Sequence, residues 1–521
     1  MKKIGIVIAA LLFAALLFAL PASAAEAEEL PTALQPNVPR ANDGDLINSG
    51  TFLQNQNYRL SSEKEIASLL IRFDLEPAPF TITLDGEEKS VEPRFLHQFV
   101  SVKELFGKTA SEMELRFDRQ AEINEITAFS DGDLPSWVQV WQAPEGAADV
   151  LVSLTHSGDE QLFFAGLLPA LTDRGLIVQT VYFTDHDTVT DRRHELLNGL
   201  WEAGVRRYPV LTSPVSARDP GAPLAEEAAY EAALAAAVRA GHSYEDLVAF
   251  QIEQIRRFQP LLLVGPDLAG EYHDGQKILN ARTLIEAAEN AGKADAFSES
   301  AEKYGVWEVK KFYLHLYSEN PVELNLDAPL ASYGGKTAFQ VSQSAFRLYN
   351  LLQNQWYASW LLGENGEITL ASQVSLVPDR YASFTDCAFS PCRYGLYSTL
   401  VGADEAKNDL MEHLESRAEE AARLQKEKEE AAREALERES EEARRRAEEE
   451  AQKARLEAEE LERKKNERAA AAEESGQKRE VIFILLGLGA IAALAAVLLV
   501  RRIVLKRRRR SIADREGTFF D

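Results

Sequence analysis

From Val481 to Val500 the chain runs as one unbroken apolar stretch. As a helix rising about 1.5 Å per residue, it matches the roughly 30 Å hydrocarbon core of a bilayer. Arg501, Arg502 and the run Lys506-Arg507-Arg508-Arg509-Arg510 follow directly. Concentrated Lys and Arg beside a span mark its cytoplasmic side, so the sequence predicts a single-pass cell-membrane protein with its C-terminal tail inside. The other end agrees. Lys2 and Lys3 precede an apolar run from Ile4 to Leu20, and Pro21-Ala22-Ser23-Ala24 supplies small residues for cleavage after Ala24. An uncleaved anchor is the alternative, disfavoured by that small-residue site. The N-terminal region is therefore expected to be extracytoplasmic.

The formal net charge is -26, although part of the positive charge is held in the tail. So acidic an outer region argues against nucleic acid as a partner. The two cysteines, Cys387 and Cys392, lie close together on the exported side. A local disulfide is the expected state in an oxidising compartment, and two thiols alone make a poor structural zinc site.

Between the ends the composition changes several times. Residues 1–24 read as the signal peptide and residues 25–49, rich in Pro, Asn and acidic side chains, as a linker. Residues 50–147 carry short alternating runs, among them Phe80-Thr81-Ile82-Thr83-Leu84 and Trp137-Val138-Gln139-Val140-Trp141, with turns at Asp85-Gly86 and Asp131-Gly132. That pattern predicts a small β-sandwich with Trp137 and Trp141 projecting to one face, packing being favoured over stacking on a sugar ring.

Residues 148–402 alternate strands (150–154, 176–183, 261–264) with helices (161–173, 192–203), which predicts a Rossmann-like, mostly parallel sheet with its site at the carboxyl edge. From 403 to 480 the chain is almost wholly Glu, Lys, Arg and Ala, a helical stalk that would span roughly 110 Å. Ala447, Ala451, Ala454, Ala458 and Leu461 have the spacing of a coiled-coil seam and hence of a homodimer; an isolated helix held by Glu-to-Lys/Arg pairs is the open alternative. The transmembrane helix (481–500) and basic tail (501–521) complete the order.

Thr155-His156-Ser157-Gly158-Asp159-Glu160 carries the most chemistry. A His and an Asp three apart, on a turn leading into a helix, aim imidazole and carboxylate at one point. This turn is followed by Gly166, Arg174-Gly175, Val181 to Asp185, Arg192-Arg193-His194-Glu195, Ile255 to Pro260 and Gly265 to Tyr272. In that order the segments resemble the LmbE/PIG-L family of zinc N-deacetylases, which includes the de-N-acetylases of N-acetylglucosaminyl phosphatidylinositol. The resemblance covers most of residues 148–290. It implies that His156 and Asp159 stand at zinc-ligand positions, that Arg192 and Tyr272 bind substrate, and that the partner is an N-acetylated sugar or glycolipid.

The family's remaining chemistry is altered here. Gly158 stands where the general base belongs, and a glycine accepts no proton, so Glu160 or another carboxylate would have to take that role. In Tyr272-His273-Asp274-Gly275-Gln276-Lys277 the third-ligand position falls on Lys277, or on Gln276 with one residue deleted. His273 or His186 would have to substitute, and Lys277 could pair with Asp159 in a metal's place. The favoured reading is a degenerate deacetylase that retains ligand binding. An active de-N-acetylase of envelope amino sugars with atypical zinc ligands is one alternative, and a structural surface protein is the other.

Overall fold

The computed structural model describes residues 25–186, 190–216, 225–355, 358–362 and 390–474. The expected signal peptide, the apolar stretch 481–500, the basic tail and Cys387 lie outside the described residues, and with Cys387 the expected disulfide. Among the described residues, no helix is long and apolar enough to cross a membrane.

The first compact unit ends at Ala422. It opens with strands β1 (Glu29–Leu30), β2 (Ala33–Gln35), β3 (Gly50–Phe52), β4 (Asn57–Ile66), β5 (Ser68–Phe73), β6 (Phe80–Leu84), β7 (Glu87–Val91) and β8 (His97–Ser101). A short helix α1 (Val102–Phe106), β9 (Ala110–Phe117) and β10 (Ala121–Phe129) follow. The strands form two antiparallel sheets, β1-β10-β5-β8 with β3 also on β10, and β2-β4-β9-β6-β7. Asp85 and Gly86 close the β6–β7 hairpin with φ of 51° and 82°, the left-handed pair that a two-residue turn needs.

Two expectations fail in this region. Residues 25–49 are not simply a linker, because β1 and β2 pair into the sheets and bury Leu30 and Leu34. The stretch from Trp137 to Trp141 is not a strand: the Val138 amide turns back onto the Pro135 carbonyl. Trp141 is consequently buried against Trp201 and Tyr208, while Trp137 stays 41% exposed beside Phe129 and Arg72.

The mixed α/β part then runs through β11 (Val150–Leu154), α2 (Asp159–Leu162), α3 (Leu167–Asp173), β12 (Val178–Tyr182), β13 (Thr184–Asp185), α4 (Thr190–Glu202), β14 (Val215–Ser216), α5 (Glu226–Arg239) and α6 (Tyr244–Phe258). It continues with β15 (Leu262–Gly265), α7 (Gly275–Asn290), α8 (Ser298–Tyr304), β16 (Lys311–His315), β17 (Pro321–Glu323), α9 (Ala338–Phe346), α10 (Ala358–Leu362) and β18 (Arg393–Thr399). The sheet order is β12-β11-β15-β16-β18-β17, with the first four strands parallel and β18 antiparallel to β16.

Side chains alternate across this sheet as the pleat requires. Leu151, Leu263 and Phe312 pack against Val248, Ile252, Ile255 and Leu284 of α6 and α7. Val150, Val152 and Leu154 face Leu168, Leu196, Leu200 and Phe346 of α3, α4 and α9, in a core continuous with that of the sandwich. The helix expected over 161–173 is broken in two, because Gly166 takes φ 83° and donates its amide to Ser342 Oγ at 2.7 Å.

Residues 404–416 belong to this domain rather than to the charged helix. Asp404 is buried, accepting from Lys311 Nζ and the Tyr313 hydroxyl. Helix α11 (Arg417–Glu474) begins only after Ser416, whose Oγ caps the Glu419 amide. Its 58 residues correspond to about 87 Å of helix and carry i,i+4 pairs such as Arg423–Glu427, Arg445–Glu449 and Lys464–Glu460. The second compact unit begins at Arg423 within this helix.

Candidate functional site

After β11 the chain moves to β12 on one side of the sheet and later places β15 on the other. Open parallel sheets bind ligands in the crevice outside their carboxyl ends at such a reversal of order. Here the crevice is bordered by the turn Thr155–Gly158 and by the loop from Pro266 to Asp274.

The second loop is held by α7. Asp274 is its N-cap, with Oδ1 accepting the amides of Gln276 at 2.8 Å and Lys277 at 3.0 Å. That cap aims both side chains at the turn after β11. Tyr272 and His273 just before it have φ of 52° and 59°, a left-handed conformation that costs about 1 kcal/mol or more per non-glycine residue and concentrates at ligand sites.

Lys277 lies at the centre, fully buried, with Nζ 2.6 Å from Asp159 Oδ1 and 3.6 Å from Glu271 Oε2. The Phe163 ring stands 3.9 Å from the ammonium and the Tyr272 ring 5.5 Å. Burial disfavours the ammonium, but Asp159, Glu271 and Asp274 outweigh it, so the lysine pKa is raised. Burial likewise pushes the Glu271 carboxyl up, yet Lys277 and the His315 hydrogen bond prevail and hold it at about 2. His315 reaches Glu271 Oε1 with Nδ1 and the Ser390 carbonyl with Nε2, each at 2.7 Å.

His156 is tied down as well. Its amide donates to Asp159 Oδ2 at 2.8 Å, and its Nε2 lies 2.8 Å from Gln276 Oε1. Because Gln276 Nε2 donates to the Ser216 carbonyl, the amide oxygen must face His156, and the network assigns the proton to His156 Nε2. Its Nδ1 stands 3.8 Å from Asp159 Oδ2.

The space beside Gly158, where the resemblance expects a base, is filled from elsewhere in the chain. Gly158 has φ 98°, and a Cβ there would meet Leu352 Cδ1 at 2.4 Å. Leu352 belongs to the 3-10 turn Asn350–Leu352. Tyr349 before it hydrogen-bonds Glu160 through its hydroxyl, and the Leu351 amide donates to Glu195 Oε1 at 3.1 Å. Glu160 is thereby buried among hydrogen-bond donors rather than presented to the crevice. Burial pushes its pKa up to about 7 despite the Tyr349 hydrogen bond.

The proposed substitutes do not complete a metal site. His186 Nε2 accepts the Ser157 amide at 2.9 Å, and burial holds this ring near a pKa of about 3. His273 sits in the 3-10 turn Glu271–His273. Among the described residues, no three His, Cys, Asp or Glu side chains converge to hold a metal ion. Zinc takes nitrogen, sulfur and oxygen lone pairs. At this edge Asp159 faces an ammonium, and Lys277, which the resemblance places at the third position, is itself a cation. These residues do not fit zinc.

Tyr272 remains half-buried at the rim, its hydroxyl 3.4 Å from Asp274 Oδ2. Arg192 lies at the start of α4, close enough to depress the His186 pKa. Glu271, His315, Tyr349 and Leu352 gave no signal as site residues in the sequence.

No family model matches the chain, and no curated protein matches it. Solved structures show weaker likenesses. The N,N'-diacetylchitobiose deacetylase from Pyrococcus horikoshii aligns with 48% of this chain and 84% of its own at 14% identity, with a TM-score of 0.29. The 4-carboxy-2-hydroxymuconate hydratase from Pseudomonas putida KT2440 aligns with 50% and 98% at 14% identity and a TM-score of 0.30. A pectin-binding carbohydrate-binding module aligns with 21% and 96% at 19% identity and a TM-score of 0.15. These scores assign no activity, and the site is read from its own residues.

Proposed function

We propose that this chain is a membrane-anchored, extracytoplasmic protein whose α/β domain binds an N-acetylated sugar or glycolipid without hydrolysing it. The observation that carries the reading is the Lys277 ammonium, 2.6 Å from Asp159 at the carboxyl edge of the sheet. Metal-assisted amide hydrolysis needs a Lewis acid on the carbonyl and a base for the attacking water. The first position is occupied by a lysine, and the second is a glycine backed by Leu352. Tyr272, half-buried beside the crevice, would offer a sugar ring an aromatic surface, and Arg192, at the start of α4, would offer its hydroxyls a guanidinium. The apolar stretch 481–500, its basic flank and the leader residues support the anchoring and topology.

The test uses the full-length chain in detergent micelles with chitooligosaccharides as probe. Binding is expected to survive a chelator, acetate release to be absent, and Tyr272→Ala to weaken affinity about tenfold, the loss of roughly one ring contact. Near-stoichiometric zinc that disappears in a His156→Ala, Asp159→Ala double variant, together with acetate release, would establish the active enzyme instead. Failure to bind any amino sugar would leave the structural reading.

A further inference from the structure

We infer that Lys277 is the resident cation of this site, an internal replacement for a bound ion that ties the loop after β15 to the turn after β11. The inference rests on the reading of this edge as a former metal centre. It does not depend on whether a sugar binds there.

The surroundings are those of a cation cage. Asp159 comes from the first turn of α2, Glu271 from the 3-10 turn before α7, Phe163 from the break between α2 and α3, and Lys277 from the first turn of α7. Two carboxylates lie within 3.6 Å of the ammonium, and the Phe163 face stands 3.9 Å away. Carboxylates supply charge and the aromatic face supplies its quadrupole, the combination that holds a desolvated cation. None of the lysine side chain is exposed. It therefore does not serve solvent or an external partner.

The network extends on both sides. Asp159 also accepts the His156 amide, and Glu271 also binds His315, which grips the Ser390 carbonyl. One ammonium thus links segments that begin after β11 and after β15, the last residue of β16, and the segment returning into β18. Divalent ions commonly organise loops in this manner, and here the charge is covalently part of the chain.

Removing Lys277 alone leaves both Asp159 and Glu271 buried without their cation, whereas removing Asp159 as well leaves only Glu271, which keeps its His315 hydrogen bond. The assignment is tested by thermal unfolding of the full-length protein in micelles, comparing wild type, Lys277→Met, Asp159→Asn and the double variant. Each single variant is expected to melt roughly 10 °C lower. The double variant is expected to regain at least half of that loss. In Lys277→Ala, n-propylammonium reproduces the deleted end of the side chain and is expected to raise the melting midpoint, while 1-propanol at equal concentration leaves it in place. If the single variants fail to fold, recovery of a folded double variant is the supporting result. Lys277→Met melting with the wild type, a double variant no more stable than the worse single, or a zinc-dependent rise in the wild-type midpoint would overturn the assignment.

Discussion

Gly158 shows how much of this site is decided at single residues. Its φ of 98° and the Leu352 methyl 2.4 Å from its missing Cβ together exclude a side chain. Gly158→Asp, the change that would supply a base, is expected to destabilise the fold by about 2 kcal/mol or more through overpacking and strain. Chemical denaturation checks the value, and Leu352→Ala in the same chain should return part of it. Glu160 makes a second prediction. Its pKa is about 7 in the fold against 4.5 for the free group, so between those values the native protein keeps a proton that the unfolded chain has released. Stability contributed by Glu160 therefore falls as pH rises from about 4.5 to 7. His186 and His194, pushed down by burial to about 3, work in the opposite direction below 6.5. The Glu160 share is isolated by comparing Glu160→Gln with wild type, whose difference in melting midpoint should shift steadily across that window. His156, Asp159, Gly158 and Lys277 were legible because they sit in short contiguous patterns. Tyr349 was not, since it meets Glu160 across 189 positions of sequence.

Helix α7 concentrates the site's positioning in one cap. Asp274 fixes the two amides that begin the helix, and with them the directions of Gln276 and Lys277. Asp274→Ala is expected to cost about 1 kcal/mol as a lost N-cap. Under the proposed sugar binding, affinity should fall further than that loss of stability explains, because the Asp274 contact to the Tyr272 hydroxyl is lost; titration calorimetry beside a denaturant melt separates the two. Strands with strong alternation, such as β6, and buried ones, such as β11, were readable from pattern alone. The segment 161–173 was not, since its helical periodicity continues through Gly166 while the backbone turns to meet Ser342. The late start of α11 was equally hidden: the composition changes at 404, but Lys311 and Tyr313, distant in sequence, draw Asp404 into the domain.

Across the whole first unit, sandwich and α/β sheet share one hydrophobic core. Their junction is polar in its middle, where His97 joins Gln139 and His194 at 2.7 Å each, and aromatic beside it, where Trp141 meets Trp201 and Tyr208. Trp141→Ala is expected to cost about 3–5 kcal/mol and to separate one cooperative unfolding transition into two, as scanning calorimetry would show. The mixed α/β architecture was legible in the alternation of strands and helices, whereas the junction was not, because His97 and His194 have no local pattern. The chain leaves this unit at the opposite edge of the sheet from the site. The Arg417 amide is held by Asp149 Oδ1 at 2.6 Å and its guanidinium by the Gln259 carbonyl at 2.8 Å, positions that lead directly into the adjacent strands β11 and β15. A pull on the chain beyond Arg417 thus enters two neighbouring parallel strands at the same end, so that the pair takes the load as one body and the hydrogen bonds between them are not peeled open one after another.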